Sequence, residues 1–248
     1  MNRGRRFTSA TVVGVALLVA GAVVILSGYV REHGWNFASL VDILYANLGS
    51  ELIGMAVVIL LVDRFAAVRE DNRRRAQLVR ELASSDRSMT ARAGLELEAQ
   101  GWLYDGTLAG ARLGGANLVG ARFERAALMG TVFAGADLSQ ANLSGAALVG
   151  SNLTDALLHS ANLEMADLTE ATLVQAQLVH ADASLARLNR ANLSGADLTD
   201  ADMSHSDLSG ADLTGCRLVR THLDHITWNQ ETRWPIGFTP PVSADRVT

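Results

Sequence analysis

From Leu103 to Trp228 a large apolar residue returns at every fifth position without insertion, 26 times in all. Leucine fills 21 of these positions, the exceptions being Phe123, Phe133, Ala183, Met203 and Trp228. The residue two before is Ala in 18 cases, and otherwise Gly, Ser, Thr or Cys apart from Ile226. A period of five serves neither regular element. On a helix each step of five turns about 140°, which scatters the leucines around the cylinder. On a strand an odd step sends successive leucines to opposite faces.

One arrangement satisfies the pattern. The small residue and the leucine, two apart, point the same way in a short extended unit, and a bend restores the register. Inward bends make the chain coil, with leucines lining the interior of a solenoid and successive coils about 4.8 Å apart. Such units bury nothing alone and stabilise by stacking.

Units such as ADLSQ, ANLSG, SNLTD, ANLEM, ADLTE and ADMSH resemble the A(D/N)Lxx signature of the pentapeptide-repeat proteins. The resemblance covers roughly half the chain. It implies a β-solenoid, a right-handed quadrilateral β-helix with four pentapeptides per coil and Leu and Ala inside. With twenty residues per coil, the 24 units from Leu108 to Leu223 make about six coils, or about 29 Å of rod. At Ala183 the leucine is missing while Leu185 follows two residues later, so a void or a local bulge is expected there.

The N-terminal part differs in kind. No charge occurs from Phe7 to Val30, which is long enough to span a bilayer. Arg3, Arg5, Arg6 and the Ala20-Gly21-Ala22 triplet also resemble a cleavable leader, although Val23 to Leu26 continue the apolar run. A second span is expected over about residues 43–62, so that residues 1–64 form a two-helix transmembrane hairpin with spans at about 8–30 and 43–62. The segment ANLGSELIGMAVVILLVDR resembles the second span of a membrane-anchored subgroup of bacterial pentapeptide-repeat proteins. Three arginines precede the first span and Arg64, Arg69, Arg73, Arg74, Arg75 and Arg80 follow the second, which places both termini and the repeats on the cytoplasmic side of the plasma (inner) membrane. Asn47 and Glu51, four apart on one helix face, form a candidate polar site at membrane depth. Gly14, Gly21 and Gly28 leave one helix side flat, as in a tight hairpin or a homodimer seam.

Residues 65–102 read as a short α-helical stalk and N-terminal cap. A first helix carries Phe65, Val68, Val79 and Leu82, and a break falls near Ser84-Ser85-Asp86. A second helix then runs from Asp86 as N-cap to Gln100, ends at Gly101, and covers the first coil with Leu95, Leu97 and Trp102. The repeats occupy 103–228. Residues 229–248, with Trp234, Phe238 and three prolines, close the last coil.

Catalytic and nucleotide-binding patterns such as the P-loop, GxGxxG, GxSxG, HExxH and paired cysteines do not occur. The expectation is a non-enzymatic chain without a cofactor. The one cysteine, Cys216, takes an inward small-residue position and is expected to be buried packing. Five of six histidines lie between His159 and His225. In the fourfold register His205 stacks on His225, and Asp182, Asp202 and His222 form a neighbouring column. Such a column suits a ladder of Asp and His, or else a metal site.

Residues 103–228 hold 14 acids against 7 arginines, a net of −7. Some soluble pentapeptide-repeat proteins resemble B-form DNA and bind DNA gyrase, so an inhibitor or modulator of gyrase is one alternative. A transport-associated or metal-binding role is another. Nucleic acid itself is not an expected partner of a negative surface. The leading expectation is a membrane-tethered protein-interaction or scaffold module, whose partners are the lipid bilayer and an unidentified protein. Its candidate surface is the outward column of Val119, His159, Val179 and Val219 with Leu157 beside it.

Overall fold

The computed structural model describes residues 37–243, and side chains from residue 55 to 243. The chain divides into two compact units, residues 1–72 and 73–248. The helix α1 runs over Phe37–Leu82, and α2 over Arg87–Ala99.

The expected span at 8–30 lies outside the described residues. Where a second span at 43–62 and a separate stalk helix are expected, α1 continues through both without a break. No helix among the described residues is long and apolar enough to cross a membrane. The uninterrupted apolar stretch of α1 between Glu51 and Asp63 is only 11 residues, Leu52 to Val62, against the ~20 that a bilayer needs. Its large side chains from Met55 to Val62, and Phe65 and Val68 beyond them, are solvent-exposed apart from half-buried Ile59.

In the second unit Asp86 caps α2 by accepting the Ser88 N–H at 2.7 Å, and Gln100 ends it before Gly101 takes a φ of 73°. Leu78, Leu82, Ala93 and Leu97 are buried and continuous with the core of the repeats, with Val79 and Trp102 packed against them. Leu95, expected beside Leu97, is instead 57% exposed. Two residues apart on a helix means nearly opposite sides, so both cannot be buried against the coil.

From Arg112 onward the chain coils with a repeat of twenty. Parallel bridges join Arg112 to Val132, Asn117 to Asp137, Arg122 to Asn142 and Ala127 to Ala147, and this pattern of four bridges per turn continues to Asp207 with Thr227. The solenoid is therefore four-sided, as the family resemblance implies. Each side contributes a single bridging residue rather than an extended strand, because the bend consumes the rest of the unit. In that bend Ala116 N–H donates to Leu113 C=O, and the second central residue, Gly115, has a φ of 66° while Gly114 does not take a positive φ. This is the pattern of a type II turn, which requires a left-handed residue at that point. Glycine suits it, yet fourteen non-glycine residues from Arg125 to His225 adopt it too.

The inward Ala and Leu columns are buried throughout from Leu103 to Leu213 except for half-buried Ala111 and Ala121. At Ala183 the coil keeps its register: Ala183 N–H donates to Asp202 C=O at 2.7 Å, and Asp182 bridges Asp202. The expected bulge is absent, and Leu185 stays outside, 43% exposed, instead of folding into the missing leucine's place. At the C-terminal end the bridge from Asp212 skips one residue further, to Arg233. There Trp228 meets Trp234 edge-on at 5.9 Å, and Trp234 stacks on Phe238 at 5.3 Å.

Candidate interaction surface

The residue before each leucine sets the chemistry of the surface. Asp or Asn at this position turns its Oδ1 onto the backbone N–H two residues later, as Asn152 does to Thr154 at 3.0 Å and Asp202 to Ser204 at 2.9 Å. These are Asx turns, which steady the bend. Seven of the 14 acids of residues 103–228 make this bond at that position, namely Asp137, Asp167, Asp182, Asp197, Asp202, Asp207 and Asp212, and Asp105 makes the same bond outside it, for eight in all. Burial pushes the carboxyls of Asp197, Asp202, Asp207 and Asp212 up, but the hydroxyl and amide donors of the following turn, with nearby positive charge, outweigh it and hold them below the ordinary value. Much of the negative charge is thus turn chemistry, a signal carried by the signature's Asp/Asn position.

Twenty-residue spacing also pairs charges between coils. Arg187 lies 3.5 Å from Asp167, Arg190 3.6 Å from Glu170 and Arg217 3.9 Å from Asp197. Arg220 holds Asp200 in a bidentate pair, and that hydrogen bond is the chief reason the Asp200 carboxyl sits low. His180 approaches the same carboxylate at 4.0 Å.

The candidate column of Val119, His159, Val179 and Val219 is real as a column but discontinuous, since Ser139 and Thr199 fall within it. Val119, Leu157, His159 and Val179 are half-buried, and only Val219 is exposed, at 40%. Val119 instead lines a cavity of about 170 Å³ between α2 and the first coil, together with Leu82, Leu95 and Phe123, near the Glu98 to Arg122 ion pair. Asn47 and Glu51 lie on α1, and their side chains are outside the described residues.

A different column is more exposed. Met165, Leu185, His205 and His225 follow one another at twenty-residue steps along one corner, all with left-handed φ of 57–59°. Met165 is 59% exposed, and the rings of His205 and His225 stack at 4.9 Å and 12°, as the register predicts. Asp182 bridges Asp202, which bridges His222. Among the described residues no group of three or more His, Cys, Asp or Glu is placed to hold a metal ion. Cys216 is buried, donates to Leu193 C=O at 2.9 Å, and has its thiol pushed up to about 12 by burial, the state of an inert packing residue.

The family model described as pentapeptide repeats (8 copies) matches residues 108–145, 136–175, 151–190 and 186–224. No curated protein matches the chain. Among solved structures the chain is similar to HetL, a pentapeptide repeat protein involved in heterocyst differentiation regulation from the cyanobacterium Nostoc sp. strain PCC 7120, with 32% identity, TM-score 0.34 and coverage of 48% of this chain and 62% of that one. It is similar to the pentapeptide repeat protein Rfr23 from the cyanobacterium Cyanothece 51142, with 39% identity, TM-score 0.21 and coverage of 40% and 63%. It is also similar to QnrB1, a plasmid-mediated fluoroquinolone resistance protein, with 16% identity, TM-score 0.33 and coverage of 49% and 69%. The chain spans 62–63% of the length of the first two. The period of five, the twenty-residue coil and the family match agree: residues 108–224 of this chain are an array of pentapeptide repeats.

Proposed function

We infer that this protein is a membrane-tethered, non-enzymatic interaction module that displays its solenoid at the cytoplasmic face. The observation that carries the interaction reading is a fully packed solenoid whose outside nevertheless presents large apolar side chains, Met129, Met165, Leu185 and Val219, at 40–59% exposure. Exposed apolar residues on a rigid frame favour a protein partner over a small-molecule site. Support for the tether is the uncharged run from Phe7 to Val30 together with the exposed apolar residues of α1 from Met55 to Val62, followed by an arginine-rich segment suited to anionic headgroups. The gyrase reading rests on acidity, and eight of the 14 acids already have a role in closing turns.

The test has two arms on the full chain in its native membranes. Carbonate washing should leave the protein in the pellet, and release into the supernatant would remove the tether. Photo-crosslinking residues placed at outward positions of 112–228 should capture a discrete partner, whereas the absence of any adduct from all four sides would remove the interaction reading.

A further inference from the structure

Four successive coils share a side that carries no arginine, formed by residues 161–165, 181–185, 201–205 and 221–225. This side holds Glu164, Asp182, Asp202 and Asp224 with His205, His222 and His225. On the other sides several acids pair with arginine, as Asp167 does with Arg187, Glu170 with Arg190, Asp200 with Arg220 and Asp212 with Arg233. None of the four acids here makes such a pair among the described residues. Asp182 and Asp202 use Oδ1 for their turns, which leaves Oδ2 for another donor.

The corner column of Met165, Leu185, His205 and His225 runs along the edge of this acidic side. A large side chain in a left-handed, exposed position costs stability and returns no packing. Gly145, in the same column, shows the unstrained alternative. The three intervals between these four residues span about 14 Å at the spacing of stacked chains, comparable with three turns of a helix.

We propose that this corner is the docking site for an amphipathic helix of a partner protein, one whose apolar stripe lies on Met165, Leu185 and the His205–His225 stack and whose arginines or lysines meet Glu164, Asp182, Asp202 and Asp224. The proposal rests on the solenoid being an interaction module and names the chemistry of its partner.

The test uses the full chain in zwitterionic nanodiscs and a fluorescent helical peptide with leucines along one stripe and arginines on both flanks. Binding should weaken about tenfold in the M165G/L185G variant and with a peptide whose leucines are serines. Because both positions have the φ that glycine prefers, the variant should melt at or above the wild-type temperature, which separates lost binding from lost folding. Equal binding by wild type and M165G/L185G, or by the leucine and serine peptides, would overturn the proposal. If partner crosslinking persists in that case, the corner is wrong and the interaction module stands; if crosslinking is absent as well, both fall.

Discussion

At the scale of single residues, the repeat solves two problems with adjacent positions. The leucine supplies apolar burial, about 1.5–3 kcal/mol gross for each. The Asp or Asn before it supplies the acceptor for the next bend, so Asn152→Ala is expected to cost about 1 kcal/mol in chemical denaturation by leaving the Thr154 N–H without that partner. The acids make this scaffold pH-dependent. Asp197, Asp202, Asp207 and Asp212 are held below their ordinary values when folded, so they add stability above the unfolded carboxyl pKa of ~3.9, and this is lost as pH falls through their folded values. Thermal midpoints should therefore drop below about pH 4, and a variant with all four changed to Asn, which keeps the turn acceptor without the charge, should show a flatter acid limb. At Ala183 the coil keeps its path with a side chain three carbons smaller than that of its column neighbour Leu163. Ala183→Leu should raise the midpoint, a stabilisation of about 1–2 kcal/mol at that temperature; an unchanged or lower midpoint would mean that the walls have already closed on the site.

At the scale of elements, the ends of the solenoid need covering because an open coil offers unpaired backbone groups. Here α2 and the loop before it do this with backbone as well as side chains: Asn117 N–H donates to Ser84 C=O, and the Thr90 hydroxyl donates to Asn117 C=O at 2.6 Å. Arg75 lies over the Trp102 ring at 4.6 Å and reaches Asp105 and Thr107. Leu97→Ala is expected to cost about 2–5 kcal/mol and Leu95→Ala under about 0.5, measured by urea denaturation, because the first is buried in this seal and the second is mostly exposed at the cavity beside it. The cap was legible in part. Asp86 and Gly101 bracket α2 by chemistry that acts within a few residues, whereas choosing between Leu95 and Leu97 needs the helix's rotation about its axis, which the apolar pattern of thirteen residues leaves ambiguous. The continuity of α1 was not legible for a related reason. The onset of charge at Asp63 changes the solvent a helix prefers, but nothing there breaks a helix.

At the scale of the whole molecule, the twenty-residue coil makes the solenoid nearly one-dimensional, since each coil bonds only to its neighbours. The period of five made the inward columns readable, because burial acts on every unit alike. The exposed corner of Met165, Leu185, His205 and His225 was not read as a surface: outward positions obey no period, and which of them stand clear of the wall depends on the left-handed bend. This division between periodic inside and free outside has a consequence for deletions. Removing residues 141–160 takes out one full coil, so every remaining residue keeps its side, its inward or outward sense and its corner, and the ends still meet their caps. That variant should fold in a single transition at a lower midpoint, having lost one coil and one interface. Removing Thr154 alone instead cuts the unit of residues 151–155 to four, with only Asp155 between Leu153 and Ala156, so the bend no longer closes with its left-handed residue at Asp155 in register. Its circular-dichroism melt should fall much further than that of the twenty-residue deletion, or split in two. If the smaller deletion proves the milder one, the stacking of coils rather than the closure of each bend is what limits stability.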